Sequence, residues 1–408
     1  VSPLSARPSQ PSAAFGTAGR VTYGYGAESA MTASAMQADG KTVVSFDESI
    51  AGSDHGIVRR YLVDGTPDPS FGLGGVVDLG VETGATGVAT GTGGLIYVVG
   101  SRYAVDGERV TIWRLTSTGA LDPTFSGDGW ISPDTLGATD ENPVDITVDA
   151  VGRVVVVATT GLGNIVYRVL PSGDADNSFS GDGKVEFMFG DANNFPRAVA
   201  VAPNGKVIVV GSRLLAYEAP DRIAAGTAIA RLTRRGKLDT SFSDDGQMEI
   251  GRGFGRLLDP SDVELDGQGR IVVAGTQVFF GRDRTTGYAM RVLRTGALDT
   301  SFSRDGLQFF GFNGLFESTI GAVDVQANGA ILVSGELGCR RLGVARLRTG
   351  GAFDRTFSRD GVRLYRFGTA GDSCVRGSAI TPVGGRLVIT GRYGGVPGGW
   401  GMLSIDLT

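Results

Sequence analysis

Two cysteines, Cys339 and Cys374, and one histidine, His55, are the whole supply of soft metal ligands in 408 residues. A zinc, copper or haem centre normally gathers several such side chains, so those classes fall away. A histidine-dependent triad has a single candidate base, which leaves acid/base chemistry built from carboxylates, tyrosine and arginine as the open catalytic route. No apolar run approaches the ~20 residues that cross a bilayer as a helix, so membrane insertion is not expected. Basic runs are also missing, and the formal net charge of −5 is spread along the chain in both signs. Nucleic acid is therefore not an expected partner.

Glycine, by contrast, is abundant, with 66 residues at turn positions and no collagen period. Together with frequent Val, Ile, Thr and aromatics it points to many short strands joined by turns. The opening segment, VSPLSARPSQPS, is polar and rich in Pro and Ser, and residues 1–14 are expected to form a flexible tail. Two origins stand side by side: the stub left after a secretion signal is removed, or an artificial cut upstream of the fold.

One phrase is written seven times: an aromatic anchor, a glycine turn, then a strand. The anchors are Phe15, Phe71, Phe125, Phe179, Phe242, Phe302 and Phe357, separated by 56, 54, 54, 63, 60 and 55 residues. A period of this length marks one supersecondary unit stacked against copies of itself. An aromatic at a fixed place in each copy is expected to wedge between neighbouring sheets.

Residues 183–242 serve as a specimen. GKVEFMFG reads as a strand, RAVAVAPNG as a strand ending in an Asn-Gly hairpin turn, and KVIVVGS as a strand buried on both faces. A long loop, RLLAYEAPDRIAAG, is expected next, then the strand TAIARLT. The fold class that follows is all-β: a seven-bladed β-propeller with four antiparallel strands per blade, forming a single domain over 15–408. Small residues such as Ala33, Ala35, Ala198, Ala200 and Ala202 suit strands crowded at the axis. The chain begins with a fourth-type strand (19–26) and ends on a third-type strand (400–408), so the N-terminal strand is expected to complete the C-terminal blade.

Eleven residues before the anchor stands an Arg in six copies: Arg60, Arg114, Arg168, Arg231, Arg291 and Arg346. Three residues before it stands an Asp in the same six: Asp68, Asp122, Asp176, Asp239, Asp299 and Asp354. Joint presence, and joint loss in the seventh copy, predicts that the two side chains meet in a charge-assisted pair. Five copies add a second carboxylate, Asp128, Asp182, Asp245, Asp305 or Asp360. Paired oxygens could hold calcium, but the structural reading is favoured because the Arg tracks the first Asp. No cofactor is expected.

The phrase L-D-x-x-F-x-x-D-G, with an inner strand ending in D/N-G-K, an apolar run and Gly, resembles the bacterial delta-60 repeat family. QADGKTVVSF (37–46), APNGKVIVVG (202–211) and LDTSFSRDG carry the likeness, which extends from about Ser12 onward. The resemblance implies a propeller in a secreted or surface-exposed bacterial protein, or a periplasmic one, and implies no particular activity.

In such a blade the hairpin turns and the Phe-anchored turns share one face, and two sets of longer, divergent loops share the other. A specific site is expected on the divergent face. Its candidate ligand contacts are Tyr23, Tyr25, Tyr103, Phe195, Arg213, Tyr217, Phe254, Phe279, Arg282, Phe312 and Tyr393, of residue types common at interface hot spots. Cys339 and Cys374 are expected to form a disulfide there, and His55 to be an exposed surface residue. The favoured function is a non-catalytic binding or structural module for a protein or cell-surface glycan. The alternative is a hydrolase or lyase acting on a polysaccharide or ester-like substrate through Asp140, Glu141, Glu218 or Asp221.

Overall fold

The computed structural model describes residues 11–407 except 25–28, 105–106, 134–140, 162, 191–193, 220–221, 252, 283, 313–316, 339–340, 367–378, 384–385 and 393–398. Strand β1 (Arg20–Gly24) is followed by a four-stranded antiparallel sheet of β2 (Ser29–Met36), β3 (Thr42–Ile50), β4 (Ser53–Tyr61) and β5 (Val76–Val81). A second sheet holds β6 (Gly87–Thr90), β7 (Ile96–Ala104), β8 (Gly107–Leu115) and β9 (Trp130–Ile131). A third holds β10 (Asn142–Val148), β11 (Val154–Thr160), β12 (Gly163–Val169) and β13 (Lys184–Phe187). Next come β14 (Asn194–Val201), β15 (Val207–Ala219), β16 (Arg222–Leu232), β17 (Gln247–Gly251), β18 (Arg256–Leu265), β19 (Ile271–Phe279), β20 (Arg284–Val292) and β21 (Leu307–Phe310). Another four-stranded sheet holds β22 (Ser318–Val325), β23 (Ile331–Leu337), β24 (Arg341–Leu347) and β25 (Val362–Tyr365). In the last, β26 (Ala379–Val383), β27 (Arg386–Arg392) and β28 (Gly399–Asp406) are completed by β1.

The fold is thus an all-β propeller of antiparallel four-stranded blades. Strands β2, β6, β10, β14, β18, β22 and β26 each touch the next, and β26 touches β2, which makes the arrangement a ring. The expected seven separate sheets are corrected in one respect. Five sheets have four strands, while β14–β21 form one sheet of eight. The join is a short parallel pairing of Ala224 and Ala225 on β16 with Arg256 and Leu257 on β18. It arises where the sequence reading placed a loop. β15 continues to Ala219 and β16 starts at Arg222, so this hairpin is long enough for its end to reach the neighbouring strand.

The ring closes as the termini suggest: β1 runs antiparallel to β28, from Arg20 opposite Leu403 to Gly24 opposite Gly399. Anchoring starts earlier than the expected tail boundary at residue 14. Pro11 bridges Ile405, and the amide of Ser12 donates to the carbonyl of Ser404 at 2.8 Å. Trp400, 1% exposed, seals this sheet against Tyr23, Phe46 and Tyr61 with ring centroids 4.8–5.5 Å apart.

All seven anchor phenylalanines are buried. Each of the six arginines meets its aspartate, as in Arg60–Asp68 at 2.8 Å, Arg114–Asp122 at 2.9 Å and Arg168–Asp176 at 2.7 Å. Arg231–Asp239, Arg291–Asp299 and Arg346–Asp354 follow at 2.7, 2.8 and 2.7 Å. The same guanidinium lies over the anchor ring, 4.4–4.9 Å from the centroid in five copies and 5.4 Å for Arg346 over Phe357. In the closing copy Arg386 of β27 lies over Phe15 at 5.8 Å, so another strand supplies the cation.

The aspartate's second oxygen accepts from a hydroxyl two residues on, for example Ser178 to Asp176 at 2.6 Å, and that hydroxyl also accepts from the arginine. Burial works against the charge on Asp68. Hydrogen bonds from Ser70 and Lys41 and the charge of Arg60 nonetheless hold it down at about 2. The second aspartates are used locally: Asp128, Asp182, Asp245, Asp305 and Asp360 each accept the amide two residues on, at 2.8–3.3 Å.

Candidate functional site

Five innermost strands are interrupted near their start by a shift of register: between Met31 and Ala33, Pro143 and Asp145, Pro196 and Ala198, Pro260 and Asp262, and Ile320 and Ala322. A bulge turns an extra side chain out of the ladder and re-aims it. These side chains converge at the axis on one cavity of ≈ 470 Å³, lined among others by Thr32, Thr86, Asp145, Arg197, Ser261 and Asp262. The bulges lie at the ends of the inner strands that the divergent loops enter, so the cavity opens on the face where a site was expected.

Opposite the residue before the bulge stands glycine in three of these strand pairs, Gly211, Gly275 and Gly335. A Cβ on these would lie 2.4, 2.2 and 2.1 Å from the carbonyl oxygens of Phe195, Asp259 and Thr319. Close backbone approach is the physical reason for the glycine that ends each apolar run.

The bulges also stitch neighbouring sheets together. Asp145 accepts the amide of Ile146 with one oxygen and that of Val199 on β14 with the other, both at 2.8 Å. Asp262 repeats this with Val263 and Val323 of β22, again at 2.8 Å. Ser261 donates to the carbonyl of Ile320 at 2.7 Å, and Thr32 to that of Ala85. Arg197 is exposed and pairs with Asp259 at 3.1 Å.

Two residues beyond Asp262, on the same face of β18, stands Glu264, and Asp324 holds the matching place on β22. These four carboxylates load the axis with like charge inside a wall of protein. Desolvation first, then the charge of Asp262, pushes Asp324 up to about 7. Glu264 is pushed to about 8 by desolvation and by the charges of Asp262, Asp324 and Asp145. Burial raises Asp145 to about 7 and Asp262 to about 6 against the pull of their amide donors. The reading from sequence missed this set. Its trace is the pair Pro143-Val144-Asp145 and Pro260-Ser261-Asp262, which puts an acid where other copies carry Ala33, Ala198 or Ala322.

The predicted aromatic and arginine contacts divide. Tyr103, Phe195 and Phe254 are exposed, at 45%, 52% and 42%. Phe279 is half-buried beneath Arg284 and Arg256, 4.9 and 5.5 Å from its centroid, and Arg282 is exposed beside it. Arg213 forms an ion pair with Glu249. Tyr23 donates to the carbonyl of Gly65 at 2.6 Å and stacks on Trp400, which ties it to ring closure. Phe312 is corrected from ligand contact to core: it is fully buried against Phe310 and over Gly343, where no side chain competes for the space.

His55 is likewise corrected. It is 8% exposed, lies on β4, and its Nδ1 sits 2.9 Å from Asp78 of β5, because the expected loop is a hairpin strand. Glu141 is buried and accepts from the Tyr167 hydroxyl at 2.6 Å. Tyr25, Asp140, Asp221, Cys339, Cys374 and Tyr393, with the side chains of Tyr217 and Glu218, fall outside the described residues.

Residues 37–71 and 94–125 match the family model described as "Domain of unknown function (DUF5122) beta-propeller". No curated protein matches the sequence. Among solved structures, the polysaccharide lyase Uly1 is similar over 92% of this chain and 90% of its own, with 12% identity and a TM-score of 0.54. Drosophila Semaphorin 2a is similar over 95% of this chain and 75% of its own, with 9% identity and a TM-score of 0.53. At such identities the likeness carries the fold alone.

Proposed function

We propose that the chain is a binding module that takes a polar ligand, from a glycan or protein partner, at the mouth of the axial cavity. The observation that carries this is the convergence of bulge side chains from successive inner strands on one cavity, with Thr32, Thr86, Ser261 and Arg197 offering hydroxyls and a cation. Exposed Phe195 stands at the start of the strand that carries Arg197, adding a flat apolar surface.

Part of the same reading is that the eight-stranded sheet is two blades in lateral contact, giving seven in all. The internal repeat and the ring of seven inner strands support that count. The delta-60 assignment belongs with it and rests on the D-x-[ST]-F phrase shared by six copies.

A catalytic reading draws on the same cavity, since carboxylates lifted towards neutrality are the raw material of acid/base chemistry. Against it, both oxygens of Asp145 and of Asp262 already accept backbone amides, which suits a structural role.

A glycan array followed by calorimetry on the hits tests the module. Binding should weaken in Arg197→Ala and Ser261→Ala while the melting temperature stays within a few degrees. Hits that bind both variants like the parent chain place the ligand elsewhere and overturn the proposal. Release of product from any hit transfers the case to the enzyme.

A further inference from the structure

The face opposite the cavity carries its own asymmetry. The turns β4–β5, β8–β9 and β12–β13, spanning 62–75, 116–129 and 170–183, contain no Lys or Arg at all. The equivalent turns β16–β17, β20–β21 and β24–β25 carry Arg234, Arg235 and Lys237, Arg294 and Arg304, and Arg348, Arg355 and Arg359. All eight are exposed, and apart from Arg348, 3.8 Å from Asp354, none has a carboxylate partner among the described residues. The carboxylates beside them are committed. Asp239, Asp299 and Asp354 hold the core arginines, while Asp245, Asp305 and Asp360 accept turn amides. These last three keep their charge and, with exposed Asp244, are the local counter-charges.

At the near end of this arc a groove of ≈ 410 Å³ is lined by Arg153, Ser178, Asn204, Arg234 and Arg235. Arg153 is held there by Asp149 at 2.7 Å and Asp176 at 3.6 Å, so the groove has one paired cation beside the two exposed arginines of the turn.

We propose that this arc is a second binding surface, for an anionic polysaccharide, whose carboxylate or sulfate groups are taken one after another by the arginines of three successive turns. Charge repeated along an arc suits a ligand with charge repeated along a chain, and guanidinium groups bind such oxyanions through paired N–H donors. Among the described residues the three arginine-bearing turns hold no large exposed apolar side chain. Of those on this face, Val63, Leu73 and Leu121 lie in the turns without Lys or Arg, and Val151 lies on the inner hairpin beside Arg153. A protein partner would want such anchors centred among the cations, and a single-stranded nucleic acid would want aromatic stacking there. The side-chain amide of Asn204 instead suits sugar hydroxyls in the groove.

Heparin, polygalacturonate, dextran and a single-stranded DNA oligonucleotide, each immobilised, form the test with the full chain. Heparin or polygalacturonate should bind at 50 mM salt and weaken roughly tenfold or more at 200 mM, as counterion release requires. Which of the two binds distinguishes sulfate from carboxylate recognition. The double variants Arg234→Ala/Arg235→Ala and Arg294→Ala/Arg304→Ala should each lose about tenfold or more in affinity through removed charge, with unchanged melting. Leu73→Ala should bind like the parent chain. The inference is overturned by silence from both anionic glycans at 50 mM salt, by variants that bind undiminished, by salt-independent binding of dextran, or by DNA binding as tightly as either glycan.

Discussion

The guanidinium of Arg168 lies 4.4 Å from the ring centroid of Phe179 and reaches the carbonyl of Arg234, in the neighbouring sheet, at 2.8 Å. Arg114, Arg231 and Arg291 likewise reach the carbonyls of Pro171, Arg294 and Thr349 in the next repeat. The repeated arginine therefore joins its own turn, the wedge and the next repeat at once. Arg168→Ala should cost about 3–5 kcal/mol, because buried Asp176 loses its hydrogen-bonded counter-charge and keeps only Arg153, at 3.6 Å. Arg168→Lys should recover only part, since an ammonium lacks the planar fork. Urea unfolding of the two variants measures both.

Ring closure gives a second expectation. Deleting residues 1–27 removes β1 and the Phe15 wedge together, leaving the edge of β28 unpaired. The whole ring should then unfold at lower temperature in one cooperative step. A melting curve that hardly moves would show that the N-terminal strand contributes little.

The axial carboxylates set the response to pH. Asp145, Asp262, Glu264 and Asp324 have folded pKa values raised to about 7, 6, 8 and 7. Their protonated forms are favoured by folding, so the stability they contribute is present below the ordinary carboxylate range and lost as pH rises through 6–8. Asp68 works the other way, held at about 2, and its contribution is lost as pH falls towards that value. Stability should therefore peak in mildly acid solution, and Glu264→Gln should flatten the decline between pH 6 and 8. Thermal melts at half-unit pH intervals check both; a parallel decline in the variant would remove Glu264 from the account.

Gly275→Ala should be destabilising by about 1–3 kcal/mol, since the new methyl meets the backbone of Asp259 and Pro260 as well as the buried Tyr288 hydroxyl. The equivalent place in the third sheet is Ala158, opposite Pro143. Ala158→Gly should cost less, by the same unfolding measurement, because the backbone there already accommodates the methyl.

Much of this molecule was legible in sequence because the repeat supplies its own controls. Arg and Asp appear together in six copies and vanish together in the seventh, which identifies partners without coordinates. Single occurrences had no such control. His55 sat in a stretch rich in Gly, Ser and Asp that reads as loop, yet the hairpin of β3 and β4 extends through it to the Ile50–Ser53 pair. Phe312 looked like a loop aromatic because the glycine it covers, Gly343, lies on a different strand. The cavity depended on register, and a bulge leaves only a faint mark in one strand's residues. The join between β16 and β18 left none.

Pro11 and Ile405 lie side by side, so the path from residue 407 back to residue 11 is short. A circular permutant is the consequence. A brief linker could splice residue 407 to residue 11, and new ends could be opened at an inner hairpin such as Val151–Gly152, with every sheet keeping its strands. Such a molecule would trade its noncovalent clasp for a peptide bond, and its gain in kinetic resistance to unfolding would report how much the clasp limits the native chain.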